Sequence, residues 1–195
     1  MATFNIYNVL AASLAAFASK INLNTISQAL RTFVPTNEMM PGRMNLFRFP
    51  DFSVLLDYAH NPHALQALGQ MVTAFGATVK VGVITGVGDR RDEDLIAFAE
   101  EAARIFDKII IRHDKDLRGR TAEQLNGLLY RGIHLVDPHK PVSFIPDECA
   151  AVDEVVRTAI AGSLVVILSD DIEEVYDRLN YHLDREKEKE AAPQV

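Results

Sequence analysis

One cysteine stands in 195 residues, Cys149, and a lone thiol excludes an intramolecular disulfide framework and suits a reducing compartment. A small apolar residue on a helix accounts for it, and no histidine is placed to pair with it for acyl-enzyme chemistry. No apolar run reaches the roughly 20 residues that span a bilayer, and no signal-peptide pattern opens the chain, so a cytoplasmic location is expected. Positive charge is in deficit, with 20 basic residues against 27 acidic and a formal charge of -7. That balance excludes nucleic acid and an anionic membrane as the main partner, although a local basic loop can still hold an anion. No glycine-rich loop ends in Gly-Lys-Ser/Thr, so the chain has no P-loop to cradle nucleotide phosphates. No solenoid-type repeat is present, and a homo-oligomer is left open.

What is there suits one compact domain with a small appendage, since 48% of the residues are hydrophobic. An alanine- and leucine-rich stretch from Phe4 to Lys20 and a second from Thr25 to Phe33, with Asn24 as N-cap, read as a helical pair. Pro35 and Pro41 mark a linker or domain edge, dividing residues 1–40 from a main domain over 41–184. Met44–Phe49 and Ser53–Tyr58 read as a strand pair joined at Pro50-Asp51. Asn61-Pro62 is an N-cap followed by a first-turn proline, and Leu65, Leu68, Val72 and Phe75 recur at helical spacing.

Strand and helix then alternate: Lys80–Thr85 with Asp92–Ile105, Lys108–Arg112 with Ala122–Arg131, Val142–Ile145 with Glu148–Ala161, and Leu164–Ser169 with Ile172–Leu183. Thr121 to Gln124 fits a capping box and Gly132 a helix end. Residues 185–195 read as a charged, frayed tail. The alternation predicts an α/β fold: a Rossmann-like, mostly parallel sheet flanked by helices.

In such sheets ligands sit beyond the carboxyl ends of the strands. The polar loops there run over Asp57–Asn61, Gly86–Asp94, His113–Arg120 and Ser169–Asp171. Asp57 either contacts a ligand, or caps the next helix or pairs with a neighbouring cation. His60 and His63, three apart, invite a metal site, but no further ligand accompanies them and none is expected. Gly86-Val87-Gly88-Asp89-Arg90-Arg91 can hold an anion on its amides or form a tight turn; it lacks the third glycine of a dinucleotide fingerprint. Asp170 and Asp171 are either ligands for a cation or a solvated loop.

Pro41-Gly42-Arg43 followed by Asp57-Tyr58-Ala59-His60-Asn61-Pro62 resembles the opening of the C-terminal domain in the Mur ligase superfamily, which joins an amino acid to a carboxylate using ATP. The resemblance implies that the carboxylate of Asp57 meets the ATP ribose and that Arg43, the catalytic candidate, meets its phosphates, with His60 and Asn61 on the same nucleotide side. A carboxylate suits a diol and a guanidinium suits phosphate oxygens. Phe4-Asn5-Ile6-Tyr7-Asn8 is similar to the family's His-Asn-x-x-Asn segment, phenylalanine replacing histidine, and implies that Asn5 reads adenine; helix capping is the alternative.

The stretch from His113 to Arg120 carries Asp-x-Asp-Leu-Arg-Gly-Arg where peptidoglycan ligases carry Asp-Asn-Pro-Arg. It resembles the cyanophycin-synthetase branch, which adds arginine to a poly-aspartate backbone. Asp89, Arg90, Arg118, Arg120, Asp170 and Asp171 are then the substrate candidates, with Arg118 on the α-carboxylate and the two aspartates on a guanidinium.

The expected function is therefore an ATP-dependent amide ligase acting through an acyl phosphate. Upstream domains of the same protein would supply the P-loop and most of the magnesium ligands, and this portion alone would be inactive. A peptidoglycan or folylpolyglutamate-type ligase is the alternative within that chemistry, and a non-catalytic binding module of the same fold the alternative outside it.

Overall fold

The computed structural model describes residues 3–33 and 39–191, so the Pro35 break lies outside the described residues. Two helices come first, α1 (Thr3–Ala18) and α2 (Leu23–Thr32). The cap of α2 is Asn22, whose side chain accepts from Thr25 N, while Asn24 lies inside the helix. The cap therefore sits two residues earlier than the sequence suggests. Either asparagine satisfies the composition, and only Asn22 has the extended backbone that lets a side chain fold back onto the first turn.

Six strands form one sheet in the order β1-β2-β6-β3-β4-β5. They are β1 (Asn45–Arg48), β2 (Ser53–Asp57), β3 (Lys80–Ile84), β4 (Lys108–Ile111), β5 (Val142–Phe144) and β6 (Leu164–Leu168). Only the β1–β2 hairpin is antiparallel. The intervening helices are α3 (Pro62–Ala74), α4 (Asp92–Ile105), α5 (Ala122–Val136), α6 (Glu148–Thr158) and α7 (Ile172–Ala191). Asn61 caps α3 by accepting from Ala64 N, and Thr121 and Gln124 close a capping box on α5, both as the sequence predicts.

A parallel sheet covered on both faces needs strands that are apolar on both sides, and all five residues of β6 are buried. One face, with Leu55, Ile84, Ile109, Ile111 and Val166, packs on α3, α4 and α5 through Leu65, Phe98 and Leu129. The other, with Val54, Leu56, Val83, Ile110 and Ile167, packs on α6 and α7 through Val152, Val155, Val175 and Leu179. Each fully buried leucine or isoleucine is worth about 1.5–3 kcal/mol. The last strand is threaded back between β2 and β3. The chain leaves β6 toward α7 on one face, whereas both of its neighbours feed helices on the other. This reversal opens a crevice at the carboxyl ends of the strands.

Two boundaries differ from the sequence expectation by more than a helical turn. Helix α7 continues past Leu183 to Ala191, carried by ion pairs such as Lys187–Asp184 and Lys189–Glu186 one turn apart. Gly132 lies inside α5 rather than at its end. A Cβ there would sit 2.5 Å from the Ile96 carbonyl oxygen and 2.7 Å from Ala99 Cβ, so this glycine serves the close approach of α4 and α5. Gly132→Ala should lower stability by about 1–3 kcal/mol in denaturant unfolding. Gly127→Ala, on the same helix with no atom within 4 Å of the added carbon, should be neutral or raise it by up to about 1 kcal/mol.

Candidate functional site

The register of the sheet sets the site. Asp57 lies beside Leu168, Val83 beside Ile167, and Ile84 beside Ile111, so β2, β6, β3 and β4 end almost level. The next residues along the chain, Tyr58, Ser169, Thr85 and Arg112, all line one cavity of about 200 Å³. His60, Arg90, Asp114, Arg118 and Asp170 complete its polar wall. A second recess of about 220 Å³ adjoins it, sharing His60, Thr85, Val87, Arg90 and Phe98 and reaching Asn61 and His63 at the start of α3.

Arg112 is the centre of this arrangement. It is 1% exposed, and a buried guanidinium is tolerated only when its charge and donors are matched. Nη1 donates to Asp114 Oδ1 at 2.7 Å and to the His113 carbonyl at 3.3 Å, and Nη2 reaches across β3 to the Leu168 carbonyl at 3.1 Å. Nε lies 3.0 Å from Glu148 Oε1, an ion pair without hydrogen-bond alignment, and Asp170 Oδ1 is 3.5 Å from Nη2. One cation thus serves three carboxylates. Burial raises the Glu148 carboxyl to about 7 despite the guanidinium beside it. Burial likewise raises that of Asp114, again against the pull of Arg112. Asp114 Oδ2 and Thr85 Oγ1 are buried without a hydrogen-bond partner.

Beside the cavity the loop of Arg43 is bound to the end of β2. Asp57 accepts from Met44 N at 2.9 Å through one carboxylate oxygen and from Ala59 N at 2.8 Å through the other. Burial raises the Asp57 carboxyl, while those two amides and the Arg43 charge oppose it. Gly42 and Met44 take left-handed backbone, φ 69° and 57°, held by Asn45, whose Oδ1 accepts from Gly42 N at 2.6 Å. Arg43 is exposed, with its guanidinium carbon 5.0 Å from the centre of the Tyr58 ring. Among the described residues it forms no salt bridge. Asn5 on α1 reaches this loop, its Nδ2 lying 3.8 Å from Met44 Sδ. His60 Nδ1 meets the Tyr58 carbonyl at 3.1 Å, and its ring stands edge-on to Tyr58.

The family described as Mur ligase, glutamate ligase domain, matches residues 42–170. The chain belongs to that Mur ligase domain family. It is 43% identical over 187 residues to a cyanophycin synthetase of Geminocystis herdmanii, covering 95% of this chain and 21% of that protein. The chain thus spans about a fifth of the length of that curated relative. A murein peptide ligase from Psychrobacter arcticus superposes with a TM-score of 0.69 at 18% identity, covering 99% of this chain and 38% of that one. A bifunctional folylpolyglutamate synthase/dihydrofolate synthase from Yersinia pestis, solved with AMPPNP and a manganese ion, gives 0.58 at 22% identity, covering 84% and 35%. At those identities the two structures establish the shared fold.

Within this Mur ligase domain the sequence candidates divide. Arg90, Arg118, Asp170 and His60 line the cavity, while Asn5, Arg43 and Asp57 meet beside it. Asp89 stands at the rim, 3.3 Å from Arg118 Nη1. Arg118 adopts φ 50°, a left-handed conformation that persists because its amide donates to Asp116 Oδ1 at 2.8 Å and its guanidinium lies between Asp89 and Asp170. The structure does not bring Arg120 or Asp171 to the cavity. Arg120 donates to the carbonyls of Gly88 and Arg90 and to Asp92, which makes it a clasp between two loops. Asp171 pairs with Lys115 at 2.6 Å. Asn61 is occupied as the cap of α3.

Arg112, Asp114 and Glu148 are the residues that sequence reasoning passed over. Arg112 had a signal, a charge directly after the apolar run Ile109–Ile111. Glu148 had none, because it reads as the first residue of a helix. Arg112→Ala should cost about 3–5 kcal/mol in chemical unfolding, since it strands buried carboxylates. Arg118→Ala breaks only exposed pairs and should cost under about 1 kcal/mol.

Proposed function

We propose that this chain is the nucleotide-closing and amino-acid-presenting portion of an ATP-dependent carboxylate–amine ligase of the cyanophycin-synthetase kind, with arginine as the incoming amino acid. The observation that carries the reading is the cavity at the strand ends, where arginines and carboxylates face one another a few residues from the Arg43–Asp57 loop. Similarity to the cyanophycin synthetase over 95% of the chain supports the same substrate class.

The residues fit that task. Arg43 is exposed, free of salt bridges among the described residues, and held in place through Met44 and Tyr58, as a guanidinium aimed at phosphate must be. Asp57 spends one lone pair of each oxygen on the loop and keeps others for a ribose hydroxyl. ATP, when bound, supplies the phosphoryl group that activates the acceptor carboxylate. Magnesium finds no ligand cluster among the described residues, and their part is binding and orientation. On the other side, Arg90 and Arg118 suit the α-carboxylate of the amino acid, and Asp114 and Asp170 its guanidinium. Holding both ends turns the α-amino group toward the activated carboxylate and excludes water.

Residues 1–40 would belong to an upstream domain and 41–184 to the closing domain, with the charged segment 185–195 as an appendage. Ile6, Leu10, Leu14 and Phe17 expose an apolar face along α1, which suits burial against such a domain.

In the full-length ligase, Arg43→Ala should lower kcat at least about 100-fold, and near-normal turnover would sink its phosphate role. Asp114→Asn should raise the KM for arginine about 10–100-fold, the worth of one charge-assisted hydrogen bond. Faster turnover with glutamate or diaminopimelate than with arginine would overturn the substrate assignment.

A further inference from the structure

We propose that Glu148, which does not line the cavity, sets how much of the Arg112 charge remains to neutralise Asp114 and Asp170, and thereby tunes the affinity of the cavity for a cationic substrate side chain. The inference rests on the cavity being the amino-acid site. Glu148 is a positioning residue that acts through Arg112.

Three carboxylates share one buried guanidinium, and their positions differ. Glu148 holds Nε from the first turn of α6 and does not line the cavity. Asp114 at Nη1 and Asp170 near Nη2 line the cavity, and Arg118 also lies 3.6 Å from Asp170. Asp114 is 9% exposed and its Oδ2, in the cavity wall, lacks a partner. An unsatisfied buried carboxylate oxygen in a cavity wall calls for a donor from outside the chain. A guanidinium or ammonium supplies that donor together with a positive charge beside Asp114.

The groups facing Glu148 are Arg112 and Asp114 from the end of β4, and Asp170 with the Ser169 hydroxyl from the end of β6. Burial dominates and pushes the carboxyl up to about 7. Arg112 and Ser169 pull it down, and the two aspartates add to the rise. Near neutral pH Glu148 therefore changes charge. Ionised, it engages Arg112 and leaves Asp114 and Asp170 with excess negative charge toward the cavity; protonated, it releases Arg112 to them. A cation entering the cavity favours the ionised form, so binding expels a proton and tightens as pH rises through about 7. For folding the same shift has the opposite sense. The folded value lies above the ordinary 4.5, so the contribution of this group to stability is complete below that value and lost as pH rises through about 7.

The test is the KM for arginine in the full-length ligase between about pH 5.5 and 8.5, with uncharged citrulline as a competing ligand. The arginine KM should fall about three- to tenfold across a midpoint near 7, while citrulline inhibition shows no step. Glu148→Gln should abolish the step and hold KM at its acid-limb value, with the pH profile of kcat unchanged. A step that persists in Glu148→Gln overturns the proposal. Should that variant fail to fold, 13C NMR titration of the Glu148 carboxyl in this chain decides: a midpoint near 7 that falls when arginine is added supports the tuning role, and one in the ordinary carboxylate range ends it. Asp114→Asn with an unchanged arginine KM would instead remove the amino-acid site itself, whatever Glu148 does.

Discussion

A guanidinium with 1% exposure at the carboxyl end of β4 constrains everything around it, because a charge taken out of water is tolerated only inside a shell of matched acceptors. Arg112 assembles that shell from four places: its own loop through Asp114 and His113, the end of β6 through Leu168, the following loop through Asp170, and the start of α6 through Glu148. Two strands and a helix are thereby fixed relative to one another at the end of the sheet where the fold opens. The cavity is what remains beside this shell. Asp114 Oδ2 and Thr85 Oγ1 stay buried in its wall without a hydrogen-bond partner.

A looser layer of charge surrounds this core. Arg118 between Asp89 and Asp170, Lys115 between Asp171 and Glu174, and Arg120 across the Gly88–Asp92 turn tie the His113–Arg120 loop to both of its neighbours. Exposed pairs of this kind contribute little one by one. Their collective effect is positional, and it holds Arg118 in a left-handed backbone that an isolated loop would leave. The close approach of Gly88 to the Leu117 carbonyl, where a Cβ would lie 2.0 Å away, comes from the same clasp.

Much of the site was legible in the linear order of residues, for reasons that can be named. The Pro-Gly-Arg and Asp-Tyr-Ala-His-Asn-Pro segments pointed to Arg43 and Asp57, and the fold brings them together through hydrogen bonds from Met44 and Ala59 to one carboxylate. The loops after β3, β4 and β6 could be located because ligand-facing loops follow strands. Arg120 and Asp171 were overcounted because a charged residue in such a loop looks the same whether it faces a cavity or a neighbouring backbone. Glu148 was missed because it reads as an ordinary helix start, and its partner Arg112 lies 36 residues earlier, at the end of β4.

Helix and strand types, the Asn61 cap, the Thr121 capping box and the alternation that makes a parallel sheet were determined by the sequence alone. Each depends on hydrogen bonds and apolar periodicity within a few residues. Only the tertiary structure decided that β6 returns between β2 and β3, that α5 continues through Gly132 to meet α4, and that Arg112 is buried beside Glu148. Those outcomes arise from contacts between segments far apart in the chain, and no local pattern encodes which buried charge will find which partner.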